Sequence, residues 1–149
     1  MQSATSAAKG VRRGPAVPST RRSRLLRLGF QAAGATNVLG ITLFSKCFTN
    51  DLLALDAEVF SPFSQKLIFV WGLVFFAAAP RAGLDKALAA VFAVEKAMFV
   101  VHWAAWLLKG GAQKSLLELW RTSPLTAVFY SLYGVSDALA GCVFAAAAF

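Results

Sequence analysis

Charge is scarce in this chain, and acidic charge scarcest of all. Seven Asp and Glu are spread over 149 residues, and none precedes Asp51. Charged residues make up 15% of the sequence and apolar ones 58%, whereas soluble domains run at about 25% and 45–50%. A soluble domain this short has too little interior to hide 13 Phe and the accompanying Ala and Leu. Histidine is reduced to His102 alone, which excludes a bis-histidine haem and leaves no histidine cluster for zinc. No metal and no cofactor is expected, although His102 could act as a single axial ligand to a pigment. Cys47 and Cys142 fall at opposite ends of their apolar runs, some 25 Å apart in helix rise (roughly 1.5 Å per residue), so no disulfide forms within the chain. The sequence also lacks a P-loop, a glycine-rich dinucleotide turn, HExxH and GxSxG. No catalytic residue is assigned, and an enzyme is not expected.

What is present is four long apolar runs, at residues 25–48, 62–80, 86–108 and 124–147. Crossing a bilayer core of about 30 Å takes roughly 20 apolar residues in a helix. Barrel strands would alternate, and a run such as Leu73-Val74-Phe75-Phe76-Ala77-Ala78-Ala79 does not. Ser61-Pro62 and Ser123-Pro124 read as helix starts, and Arg81-Ala82-Gly83 and Lys109-Gly110-Gly111 as helix ends. The expected fold is an all-α integral membrane protein, a four-transmembrane-helix bundle spanning residues 25–149. Ser61-Pro62-Phe63-Ser64 and Trp71-Gly72-Leu73 align with Ser123-Pro124-Leu125-Thr126 and Tyr133-Gly134-Val135 at one offset (123 − 61 = 62), as two tandem helical hairpins would.

Residues 1–24 form a separate region, a basic tail or transit peptide. Across residues 1–27, Lys9, Arg12, Arg13, Arg21, Arg22, Arg24 and Arg27 stand among Ser, Gly and Pro with no acid, the composition of an organellar transit segment. A charge excess beside a membrane span argues against nucleic acid as its partner. The connection at 49–61 carries Asp51, Asp56 and Glu58 and no Lys or Arg. That asymmetry places both termini on one side, matrix or stroma, of a mitochondrial inner or plastid membrane. Leu116, Leu117, Leu119 and Trp120 among polar residues read as a short interfacial helix.

The informative residues are polar ones inside the spans. Counted from the N-terminal side, Asn37, Glu95, Lys96 and Asp137 all fall about 14–18 Å deep at 1.5 Å per residue. Lys96 is the natural partner of Asp137. Glu95 lies about 100° around the helix from Lys96 and shares a face with Phe99, His102 and Trp106. Either the layer is an ion pair with supporting hydrogen bonds that fixes helix register, or Glu95 is a protonatable group with His102 as its relay. The sequence points first to a non-catalytic accessory or assembly subunit of a larger organellar membrane complex. The alternative is a small proton-linked transporter or carrier using the midplane layer. Expected partners are the lipid bilayer and other membrane subunits, or a second copy of the chain.

Overall fold

The computed structural model describes residues 20–49, 56–109 and 112–149, and nearly all of them are helical. Thr20 opens α1 (Arg21–Ala35), its hydroxyl accepting the Ser23 amide at 3.3 Å. A π-helical segment (Thr36–Gly40) interrupts the run, which resumes as α2 (Ile41–Phe44). The chain then turns through Lys46, Cys47 and Phe48, all at positive φ (49°, 57° and 68°), a conformation that non-glycine residues seldom adopt. Ser45 steadies this turn by accepting the Phe48 amide at 2.8 Å. After the short α3 (Ala57–Phe60), Ser61 caps α4 (Pro62–Ala78) by accepting the Ser64 amide, with Pro62 at the first helical position. A 3-10 turn (Ala79–Arg81) and Gly83 at φ 80° reverse the chain into α5 (Lys86–Leu108), which Asp85 caps on the Leu88 amide at 3.0 Å. The amphipathic α6 (Ala112–Thr122) and the long α7 (Pro124–Ala148) complete the fold.

Among the described residues, three helices are long and apolar enough to cross a membrane: Pro62–Arg81, Lys86–Leu108 and Pro124–Ala148. The fourth expected span, 25–48, differs from its sequence reading. Its helical run begins earlier, at Arg21, and ends earlier, at Phe44, and the π segment divides it. Arg21, Arg22, Arg24 and Arg27 all lie on α1, so the helix reaches into the stretch assigned to the tail. The first 19 residues, which hold the rest of that tail, lie outside the described residues, as do 50–55 with Asp51.

Glycines set the closest helix contacts. A Cβ on Gly34 of α1 would stand 2.9 Å from the Gly72 carbonyl oxygen of α4, and one on Gly72 would stand 2.9 Å from that of Gly34. The two backbones therefore touch, as they do where small residues pack helices in lipid. Gly134 of α7 receives the indole of Trp103 from α5. Gly72 and Gly134 stand at matching positions of the 62-residue offset (134 − 72 = 62).

Two aromatic cores result. One gathers Phe30, Phe75, Phe92 and Phe144, with ring centroids 4.7–6.0 Å apart. The other gathers Phe60, Phe129, Tyr130 and Tyr133 at 4.9–6.3 Å, with Ile41 and with Leu119 of α6. Such pairs add about 0.5–1.5 kcal/mol each beyond the area they bury. Outward faces are apolar as well, for example Val91, Val94, Met98 and Val101 on α5. Arg22 donates to the Ala146 carbonyl at 2.9 Å, so the start of α1 and the end of α7 share one end of the molecule.

Candidate functional site: a buried polar layer and two adjoining cavities

On three of the helical runs, a buried polar residue stands between the positions that enter the two aromatic cores. On the first run this is Asn37, between Phe30 and Ile41. On α5 it is Lys96, between Phe92 and Trp103, and on α7 it is Asp137, between Tyr133 and Phe144. The structure brings all three together. Lys96 Nζ donates to Asp137 Oδ1 at 2.6 Å and to Asn37 Oδ1 at 3.2 Å. Asn37 Nδ2 donates in turn to the Ile68 carbonyl of α4 at 3.4 Å. Lys96 and Asn37 are buried at 2% and 6% exposure, and Asp137 at 8%. The ammonium also faces the rings of Phe75 and Phe99 at 5.3 and 5.5 Å from their centroids, where the aromatic quadrupole attracts a cation.

Glu95 joins the layer differently. Its Oε2 lies 3.8 Å from Lys96 Nζ, beyond hydrogen-bond reach, and is buried with no hydrogen-bond donor on it. Tyr133 presents a second such atom, its buried hydroxyl lacking a hydrogen-bond partner. Both residues line one cavity of about 230 Å³ together with Asn37, Lys96 and Asp137. The π segment forms part of its wall through Thr36 and Gly40. Wide π turns within helices concentrate at functional sites, because they re-aim side chains without ending the helix. Aromatic rings complete the lining: Phe44, Phe60, Phe99 and Phe129.

His102 is not brought to Glu95. It lies farther along α5, where its Nε2 is 2.9 Å from Asp56 Oδ2 and its Nδ1 is 3.8 Å from Glu58 Oε2. Asp56 is held in place, since its amide donates to the Tyr130 hydroxyl at 3.2 Å. Trp103 Nε1 donates to the Tyr130 carbonyl at 2.9 Å, tying α5 to α7 at the same level. A second cavity, of about 300 Å³, opens here between α4 and α5, lined by Glu58, Ser64, Trp71, Met98 and His102 among others. Ile68 and Phe99 line both cavities.

Sequence reasoning placed Asn37, Glu95, Lys96 and Asp137 at one depth but missed Asp56, Tyr133 and the π segment. Depth follows from counting residues along a helix. The partner of a loop residue such as Asp56 depends on how the loop folds back, and nothing local encodes it. Among the described residues no group of three or more His, Cys, Asp or Glu is placed to hold a metal ion. Cys47 and Cys142 are both free thiols. The chain matches no protein-family model, no curated protein and no solved structure.

Proposed function

We propose that this chain crosses the bilayer four times and works as a small proton-linked carrier. Its first span is the run from Arg21 to Phe44, and its solute site is the cavity at the polar layer. In this reading Arg21, Arg22, Arg24 and Arg27 sit at the headgroup level, their long stems along apolar surface. The basic N-terminal end, with the C-terminal end beside it, faces the matrix or stroma of an organelle. The face bearing Glu58 lies opposite.

The observation that carries the proposal is the buried, unsatisfied carboxylate oxygen of Glu95 on an open cavity. A charge at the bilayer centre costs about 2.5–3.5 kcal/mol on insertion scales, and intramembrane ionisable groups mark ion and proton pathways. The Lys96–Asp137 pair with Asn37 accounts for itself as architecture. Glu95 does not, because helix register is already fixed without it. A carboxyl that exchanges its proton for a bound solute explains both the cavity and the absence of a hydrogen-bond donor on Oε2.

The accessory-subunit reading is favoured by one different observation. In the most apolar window of α5 only 17% of residues are buried, against 33% in α7. That leaves a broad apolar face for the helices of a larger complex. Native electrophoresis of mildly solubilised membranes separates the two. A carrier migrates at monomer or dimer size, and a subunit migrates with a large assembly.

A further inference from the structure

The two cavities share walls, and the residues that form those walls are the ones the polar layer holds. The Phe99 ring packs against the Lys96 ammonium, 5.5 Å from its centroid, and also lines the outer cavity beside His102. Ile68 gives its carbonyl to Asn37 on the inner side and its side of α4 to both spaces. We infer that the cavities are two chambers of one route, entered from the side bearing Glu58 and His102, with Phe99 and Ile68 as the partition and a small organic monocation as the solute. This inference rests on the carrier reading and specifies its solute class and its side of entry.

Charge fixes the sign of the solute. Among the described residues, Lys96 and His102 are the only ones lining either chamber that can carry positive charge, and two carboxyl groups flank each: Asp137 and Glu95 at Lys96, Asp56 and Glu58 at His102. Carboxyl groups therefore outnumber cations in each chamber, the second being the 81% exposed Glu58 outside and Glu95, whose Oε2 receives no hydrogen bond, inside. An anion meets an excess of carboxyl groups at both steps, whereas a cation is attracted by Glu58 outside and by Glu95 inside once that carboxyl is ionised. The rings at hand, Trp71 and Phe99 outside and Phe44, Phe60 and Phe129 inside, favour a cation with an apolar body over a strongly hydrated metal ion. Binding of the cation at Glu95 requires that carboxyl to release its proton, which leaves by the outer chamber as the cation enters.

The test reads access rather than transport. Ser136 lines the inner chamber, so a Ser136→Cys chain lacking Cys47 and Cys142 (both changed to Ser) carries a single reporter thiol there. The full-length protein in liposomes is exposed, on the Glu58 side, to membrane-impermeant thiosulfonates bearing either trimethylammonium or sulfonate. With each rate normalised to that of a free thiol, the cationic reagent should react at least about tenfold faster. Phe99→Ala should speed it several-fold further, and Phe99→Trp should slow it. Equal rates for the two reagents would overturn the solute class. Faster reaction from the opposite side, or indifference to Phe99, would overturn the route. Expected labelling with no flux by the unmodified chain would instead defeat the carrier reading while leaving the chambers standing.

Discussion

Lys96 of α5 donates to Asp137 of α7 across 2.6 Å, and this one contact ties together the hairpin that carries most of the polar layer. Both groups are buried, so each offsets part of the desolvation cost of the other. The aromatic cores flank the pair on either side and lower the local dielectric, which strengthens it and raises the penalty for losing half of it.

A double-mutant cycle on this pair should be strongly non-additive. Lys96→Met leaves Asp137 charged and alone and should destabilise the protein by about 3–5 kcal/mol. Asp137→Leu should cost less, because Glu95 Oε2 already stands 3.8 Å from the ammonium and can take it over. The double variant should recover much of the loss, as measured by unfolding in mixed detergent micelles. Additive losses would show that the pair is not coupled.

The helix-crossing glycines make a contrasting pair with Gly40. Gly134→Ala drives a methyl group into the Trp103 indole and should destabilise by about 1–3 kcal/mol. A Cβ at Gly40 meets nothing within 4 Å, so Gly40→Ala should be neutral or stabilise by up to about 1 kcal/mol through helix propensity. Thermal unfolding of the two variants in one detergent compares them directly. Equal effects would contradict the close approach at Gly134.

Topology is open to chemical labelling. Glu58 and Leu84 lie at the two ends of α4, and both are 81% exposed. In a chain freed of Cys47 and Cys142, Glu58→Cys and Leu84→Cys should react with an impermeant maleimide from opposite faces of the membrane. Reaction from the same face would remove α4 as a span.

Much of this arrangement was legible in the sequence, for reasons that differ by residue. Helix starts at Ser61-Pro62 and Ser123-Pro124 are local chemistry, and both appear where expected. The short helix read from Leu116, Leu117, Leu119 and Trp120 appears as α6, with Leu119 buried in the second aromatic core. Depth alone sufficed to group Lys96 with Asp137 and Asn37, since a polar residue in an apolar helix has few companions at its level. The first run was harder. Apolar content marked 25–48, but the helix began at Arg21 because arginine is a good helix former and Thr20 caps it. The π turn has no sequence signature in Thr36–Gly40, and a cavity is a property of several helices at once.

The most direct measurement is flux through the purified, full-length chain in liposomes. Internal pH is followed by a trapped dye while small organic monocations such as guanidinium or tetramethylammonium are added outside. The account predicts that a cation gradient drives protons the other way. It further predicts that Glu95→Gln, which keeps the side chain's shape but cannot release a proton, abolishes that exchange while the protein stays folded. Proton movement unchanged by Glu95→Gln, or no movement with any cation, would contradict the account and return the polar layer to a purely architectural role.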